Sequence, residues 1–252
     1  MLFDHGADAV ISFLLAIQVM ELMQVQSASL KIAVLFCVVM VIYFCALWSQ
    51  YSIGFFRLGV VNPVDEGLPA YALFAIANIF IPFTFWNTTN SIGAYNYIFL
   101  LFLLGLACPV AYHMVKDNYR KAVIPSAEVS YALFLPATFA ATILVLYFSS
   151  DCPFEEAVWP IFYSLMFSWS RNMIHIQLFY VTKQRFNPFN LGTLGFVLPS
   201  LAYLVTDLPP NAYFWGVAAL SAFIFFEFVV SVAKQSASIL KIQVFSIAPK
   251  LE

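Results

Sequence analysis

Apolar runs of nearly membrane-spanning length recur along this sequence of 252 residues, and no other feature limits its fold as strongly. An α-helix needs about 20 mostly apolar residues to cross the hydrocarbon core of a bilayer. Eight runs come near this length, at 6–24, 29–49, 67–85, 95–115, 127–149, 157–181, 190–206 and 211–232. They predict an all-α fold, a polytopic transmembrane bundle of about eight helices.

The composition agrees with a surface that is covered by lipid. Hydrophobic residues make up 63% of the chain and charged residues 10%, whereas soluble domains are about 25% charged. The net charge of −2 provides no basic field for a nucleic acid, which excludes that class of partner. We treat residues 1–252 as a single membrane domain, in which residues 233–252 form a cytosolic tail.

Basic residues predict the orientation of the chain. Nine of the eleven Lys and Arg residues fall on one side of the predicted helices, namely Arg57, Lys116, Arg120, Lys121, Lys183, Arg185, Lys234, Lys241 and Lys250. Acidic residues dominate the opposite side, at Asp151, Glu155, Glu156 and Asp207. Because short loops rich in Lys and Arg stay in the cytosol, the first side is predicted to be cytosolic. With eight crossings, both termini are then cytosolic as well.

Ionisable residues inside a membrane are costly, and they are therefore candidates for function. The strongest cluster is Asp4-His5-Gly6-Ala7-Asp8. On a helix, Asp4 and Asp8 share one face with their Cβ atoms roughly 6 Å apart. Two carboxylates at this spacing can bind a divalent cation through hard oxygen ligands, and Gly6 would leave room for a ligand. The alternative is a solvated helix start in which Asp4 lies near the N-cap.

A second ionisable pair, Arg171 and His175, also has a spacing of four residues, in the predicted helix 157–181. Such a pair could line a site for a phosphate or a polar headgroup, which suits the fork of donors on arginine. The alternative is an arginine that snorkels to the interface or pairs with Glu227. Near other helix ends, Glu21 is predicted to be a paired or interfacial acid, and Trp48 an interfacial anchor.

Three stretches of the sequence resemble one enzyme family. Residues 2–8, Leu-Phe-Asp-His-Gly-Ala-Asp, resemble the end of the CDP-alcohol phosphotransferase signature, D-G-x2-A-R-x8-G-x3-D-x3-D. Residues 48–67 are similar to W-E-x-Y…L-G-Y-x-N-G-P-T-E-G of the eukaryotic choline/ethanolamine branch. Residues 233–247 are similar to the closing K-Q-x-A-x-x-L-x-I-x-V-F-x-I of that branch. The three occur in the family's order.

The sequence also differs from the family pattern in several places. The family fold has two further helices at its start, and its signature begins in the second of them. Met1 would then fall inside the signature, so that the chain is truncated and lacks D-G-x2-A-R, which carries the first metal-binding carboxylate. Within the matched part, Ala7 replaces a usual cysteine, and residues 63–65, Pro-Val-Asp, replace G-P-T.

What the resemblance implies is a transferase of phospholipid synthesis. It would move phosphoethanolamine or phosphocholine from its CDP ester to diacylglycerol and release CMP. Two Mg²⁺ or Mn²⁺ ions would be the cofactors, with Asp4 and Asp8 as the metal ligands. Either His5 or Asp8 would be the catalytic base. His5 suits this role because a free imidazole has a pKa of about 6.5. The predicted substrate-binding residues are Glu66, Arg171 and His175.

Location and assembly follow from the same resemblance. It implies an integral protein of the endoplasmic reticulum, with the Golgi as an alternative, whose active site faces the cytosol. The partners would be the bilayer, diacylglycerol and the CDP ester, and a homodimer is one assembly that the resemblance allows. Two other functions stay open: a catalytically inactive, truncated relative that acts as a membrane partner, which the missing D-G-x2-A-R favours for this chain alone, and, less favoured, a small-solute transporter. Choline and ethanolamine are not distinguished.

Overall fold

The chain folds as helices throughout the part that can be described. The computed structural model describes residues 2–56, 68–82, 84–89 and 93–240, with all their side chains except those of residues 2–5 and 240. Helix makes up 83% of the structure, and these residues contain no strand. The predicted all-α fold is therefore confirmed.

Eight helical segments follow one another along the described residues. They are α1 (Leu2–Leu22), α2 (Ala28–Ile53), α3 (Leu68–Phe80), α4 (Tyr95–Lys121), α5 (Ser126–Tyr147), α6 (Phe154–Thr182), α7 (Leu191–Val205) and α8 (Pro210–Leu240). Each overlaps one predicted helix. The largest differences are that α3 ends before the predicted residue 85 and that α4 and α8 extend beyond residues 115 and 232. An apolar run marks the part of a helix that lipid can cover, whereas its backbone hydrogen bonds can continue into water.

Irregularities interrupt several of the segments, among them α2, α4 and α5. In α2, the residues Leu35–Met40 form a π-helix between two α-helical stretches. In α4, Pro109 lies inside the helix, as predicted. In α5, the helix is interrupted at Leu133. Pro136 follows in the first turn of the next stretch, where an amide hydrogen would have no helical partner in any case.

α6 is the centre of the bundle, since it packs against α1, α2, α7 and α8. Its Trp169 is fully buried between Phe44 of α2 and Phe139 of α5, with ring centroids 6.1 and 5.2 Å away. Phe162 lies 5.9 Å from Phe13 of α1, measured between ring centroids. The hydrophobic core is therefore arranged around a helix that also carries several buried polar side chains.

Two predictions for residues near helix ends had opposite outcomes. Glu21 forms an ion pair with Lys31, so the prediction of a paired acid is confirmed. Trp48 is fully buried, stacked on Phe44 and in edge contact with Tyr119, so the prediction of an interfacial anchor is wrong. Nearness to a helix end does not reveal which neighbouring helix will cover a side chain.

Four of the helices are long and apolar enough to cross a membrane: α2, α4, α5 and residues Pro210–Ile239 of α8. They support an integral membrane protein. Of the other segments, α3 and α7 are shorter apolar helices, and α1 and α6 carry the ionisable residues described below. The prediction of eight crossings and of a cytosolic basic side stays a prediction.

Labelling can test whether α7, which corresponds to the shortest predicted span, crosses the membrane. If α7 crosses, Gln184 before it and Asp207 after it, both exposed, lie on opposite sides of the membrane. The variants Gln184→Cys and Asp207→Cys would be made in a chain whose four native cysteines are alanine. In sealed microsomes with the cytosolic face outward, we expect an impermeant maleimide to label the first variant, and the second only after detergent is added. Labelling of both before detergent would contradict a crossing.

Candidate functional site

Asp4 and Asp8 form an acidic face of α1 because they are spaced one helical turn apart. The helix begins at Leu2, so Asp4 lies inside its first turn and shares a face with Asp8. Ser12 continues this face one turn further, and its Oγ donates a hydrogen bond to the Asp8 carbonyl oxygen at 2.6 Å. The side chains of Asp4 and His5 lie outside the described set. The backbone therefore has the predicted spacing for two carboxylates.

Gly6 has a different role from the predicted one. A Cβ atom at Gly6 would lie 2.6 Å from both Cγ1 and Cδ1 of Ile174 on α6, so the space that we expected for a ligand is occupied by this side chain. The glycine thus permits a close approach of two helices. Asp8 lies about 200° from Gly6 around the helix axis. α1 therefore turns one face toward α6 and its acidic face away from it.

Arg171 is 7% exposed and is held by uncharged groups. Its Nη1 donates a hydrogen bond to Oδ1 of Asn190 at 2.6 Å, and its guanidinium carbon lies 4.4 Å from the centroid of the Phe228 ring. Its Nε has no hydrogen-bond partner among the described residues. Among the described side chains Arg171 forms no direct ion pair with Glu227, although the Glu227 charge acts on the guanidinium. Burial contradicts snorkelling.

Asn190 is the residue that sequence reasoning missed. It is the N-cap of α7, where its Oδ1 accepts a hydrogen bond from the Gly192 amide at 2.8 Å. Its Nδ2 donates to Oδ1 of Asn172 on α6 at 2.6 Å, and Asn172 Nδ2 donates to the Ser168 carbonyl. One amide thus joins the start of α7 to α6 and to Arg171. Asparagine directly before an apolar run is an N-cap signal that could have pointed to it.

His175 lies beside Arg171 among aromatic rings. The centroids of Phe179, Phe228 and Phe186 are 4.5, 5.6 and 6.0 Å from the imidazole centroid. Its Nδ1 has no hydrogen-bond partner within the described part of the chain. The structure therefore brings Arg171 and His175 together at Phe228, but both face α7 and α8 rather than the acidic face of α1. The third predicted substrate residue, Glu66, lies outside the described residues.

The segment that resembles W-E-x-Y packs against the same end of α6. Gln50 accepts a hydrogen bond through Oε1 from Gln177 Nε2 at 2.8 Å, and both residues are buried. The Tyr51 hydroxyl accepts a hydrogen bond from the Phe186 amide at 2.9 Å. This end of α2 is therefore fixed to α6 and to the loop that leads to α7.

The predicted metal ligands both lie on α1. Among the described side chains, no group of three or more His, Cys, Asp and Glu residues could hold a metal ion. Asp4 and His5 do not belong to that set. The donor chemistry fits a hard cation, because two carboxylates one helical turn apart supply oxygen ligands. The ligand pair Asp4 and Asp8 therefore stays a prediction.

Comparison with known proteins supports the resemblance. The chain is 27% identical over 270 aligned positions to cholinephosphotransferase 1 of Danio rerio, covering 99% of this chain and 68% of that protein. No family model matches the chain. The similarity supports the CDP-alcohol phosphotransferase family and extends over nearly all of the sequence, including the segments that hold Asp8 and Gln50.

The approach of α1 to α6 predicts a specific destabilisation. We expect Gly6→Val to lower the thermal midpoint in detergent, because overpacking costs about 1–3 kcal/mol. The change Ile174→Ala in the same chain should restore most of the loss. Gly105→Val is the matched control, since Gly105 also lies in a helix but a Cβ atom added there would meet no described atom within 4 Å. Equal losses at both glycines would contradict the close approach.

The Asn190 network gives a second stability prediction. Asn190→Ala would leave Arg171, Asn172 and the Gly192 amide without their partner, which should lower the free energy of unfolding by about 1–3 kcal/mol. The control is Gln184→Ala, which removes an exposed amide side chain from the loop before α7. Thermal unfolding of the purified variants measures the difference. A midpoint for Asn190→Ala equal to that of the control would refute the prediction.

Proposed function

We propose that the protein is a phosphotransferase of phospholipid synthesis, which transfers phosphocholine or phosphoethanolamine from its CDP ester to diacylglycerol. The observation that carries the proposal is the acidic face of α1, Asp4 and Asp8, within a chain that is similar over 99% of its length to a cholinephosphotransferase. The bilayer supports it as well, because diacylglycerol is dissolved there. The endoplasmic reticulum and a cytosolic active site are part of the same proposal.

In the proposed reaction, the diacylglycerol hydroxyl oxygen attacks the phosphorus that bears the amino alcohol. A new O–P bond forms, the P–O bond to CMP breaks, and CMP leaves with the electron pair. The hydroxyl proton passes to His5 or to Asp8, the two candidate bases. Divalent Mg²⁺ or Mn²⁺, bound by Asp4 and Asp8, would supply positive charge to the pyrophosphate when present.

The other predicted site residues have separate proposed roles. Glu66 would meet the ammonium group of the substrate. Arg171 would contribute positive charge and His175 a hydrogen bond, and both would have to act from the side of α7 and α8, which their side chains face. The Nε of Arg171 and the Nδ1 of His175, which have no hydrogen-bond partner within the described part of the chain, support this. The hydrogen bond of Arg171 to Asn190 and its contact with Phe228 favour a packing role in addition. A loss of stability in Arg171 variants would therefore have to be separated from a loss of substrate affinity.

Release of CMP is the direct test. The purified chain in lipid nanodiscs would receive diacylglycerol, Mg²⁺ or Mn²⁺, and CDP-choline or CDP-ethanolamine. We expect CMP and phospholipid in equal amounts, dependent on the metal, and a rate that falls about 100-fold or more in Asp8→Asn. Asp117→Asn, which changes an acid of the Lys121 ion pair on α4, is the control and should keep its activity.

The two candidate bases differ in their effect on the pH profile. If His5 is the base, the wild-type rate should fall as the pH drops through the range in which an imidazole gains a proton, and His5→Gln should remove that limb. If Asp8 is the base, His5→Gln should keep the shape of the profile. Absence of CMP release with either CDP ester would contradict the enzyme, and uptake of solute into sealed liposomes would favour the transporter.

A further inference from the structure

The segments that follow α1 and α3 meet at one end of the bundle, beside the start of α6. Gln24, which follows α1, accepts a hydrogen bond through Oε1 from Asn87 Nδ2, which follows α3, at 2.6 Å. The Ala28 amide at the start of α2 donates to Oε2 of Glu155 on α6 at 3.4 Å. We call this the acidic end of the bundle, because Glu155 and Glu156 both lie there, exposed.

The segments that follow α2, α4 and α6 are joined to one another in the same way. The Val123 amide, after α4, donates a hydrogen bond to the Ser52 carbonyl oxygen in the last turn of α2 at 2.8 Å. Arg185, after α6, forms an ion pair with Glu128 at the start of α5, with 2.8 Å between Nε and Oε1. Since contacts hold each group of segments together, each group lies on one side of a membrane if the helices cross it. The proposed cytosolic side is the basic one, which leaves the acidic end in the lumen.

An acceptor motif for N-linked glycosylation lies at the acidic end. Residues 87–89, Asn-Thr-Thr, match N-x-[ST], and no other N-x-[ST] occurs in the 252 residues. All three residues are exposed, and Thr88 has extended backbone angles of φ −64° and ψ 126° after the short 3₁₀-helix Phe85–Asn87. A motif of three residues occurs often by chance. Exposure at the predicted lumenal end is what distinguishes this one, because glycans are carried on surface segments.

The hydrogen bonds of the Asn87 amide are compatible with a glycan. Nδ2 carries two hydrogens, and the bond to Gln24 uses one of them. Oδ1 accepts from Asn96 Nδ2 at 3.0 Å. An N-glycosidic bond replaces one Nδ2 hydrogen and keeps the other hydrogen and the carbonyl oxygen. A glycosylated Asn87 can therefore retain both contacts while the sugar extends into water.

We propose that Asn87 carries an N-linked glycan on the lumenal side of the membrane. This inference rests on the orientation and the endoplasmic reticulum location that belong to the proposed function. The donor is a lipid-diphosphate-linked oligosaccharide, and an oligosaccharyltransferase of the host membrane catalyses the transfer. Asn87 Nδ2 bonds to the anomeric carbon of the sugar, Nδ2 loses one proton to a base of the transferase, and the lipid diphosphate leaves with the electron pair of the broken C–O bond.

Enzymatic removal of the glycan is the direct test. The tagged chain would be expressed in eukaryotic cells, and its membranes would be treated with peptide N-glycosidase F before electrophoresis. We expect treatment to increase the mobility of the wild-type chain by the mass of one glycan. In heavy-oxygen water the same enzyme should convert Asn87 to a labelled Asp, which mass spectrometry of the peptide identifies. A wild-type chain whose mobility does not change would overturn the proposal.

Variants of the motif separate the modification from an effect on folding. Asn87→Gln and Thr89→Ala should both abolish the mobility shift, although the second leaves the Asn87 side chain and its hydrogen bonds in place. Thr89→Ser and Thr88→Ala are the matched controls, because each changes a threonine of the motif and keeps N-x-[ST]. A shift that persists in Asn87→Gln, or that is lost equally in both controls, would contradict modification at this motif.

Orientation and glycosylation can fail separately. Asn87→Cys in the chain whose native cysteines are alanine would be treated with an impermeant maleimide in sealed microsomes with the cytosolic face outward. Labelling only after detergent, together with a wild-type chain that carries no glycan, would keep the orientation and overturn the glycan. Labelling before detergent would overturn both.

Failure of the transferase gives a different result from failure of the glycan. Asn87→Gln should keep CMP release at the wild-type rate, because Asn87 contacts the segment after α1, and the end of this helix at Leu22 is roughly 20 Å along its axis from Asp8. A glycan at Asn87 without CMP release from the wild-type chain would support this inference and contradict the reaction. CMP release from a chain without a glycan would support the reaction and contradict this inference.

Discussion

Polar side chains on a central helix have to find partners inside the bundle, because the hydrocarbon of a membrane provides no water for them. Three polar side chains of α6 find such partners, each on a different neighbour: Gln177 pairs with Gln50 of α2, Ser168 with Ser221 of α8, and Asn172 with Asn190 at the start of α7. Each hydrogen bond joins α6 to one neighbour. Together they specify which helices pack around it, which apolar contact alone cannot do, since lipid is as apolar as the side chains.

α1 contacts α6 through close packing. Gly6 lets the two backbones approach, and Phe13 packs on Phe162 further along the helix. This packing uses the face of α1 that carries Gly6 and Phe13, and it leaves Asp8 on the other side. Ionisable groups in a membrane protein are often functional, and this is the face to which we assign the proposed metal ion.

The number and class of the helices could be predicted from the sequence, since both depend on the length of apolar runs. Side-chain partners could not. Arg171 was expected to snorkel, to pair with Glu227 or to bind substrate, and nothing in these expectations indicated its hydrogen-bond partner Asn190, the N-cap of α7. Trp48 was placed at the interface because it is near a helix end, but Phe44 and Tyr119 cover it. These outcomes depend on how helices rotate about their axes, and apolar content specifies that rotation only weakly in a chain that is 63% hydrophobic.

The two sides of α1 have different surroundings, which suits the proposed transfer between a water-soluble and a lipid substrate. On the α6 side, Arg171 and His175 are surrounded by Asn190 and aromatic rings, in a setting that is polar but tightly packed. On the other side, an apolar groove beside Ser12, between α1, α2 and α4, has space but almost no polar atoms. A water-soluble CDP ester and a diacylglycerol differ in the same way. In the proposed reaction, the lipid hydroxyl would reach the carboxylates of α1 from within the membrane, and the nucleotide would reach the start of this helix from the aqueous side.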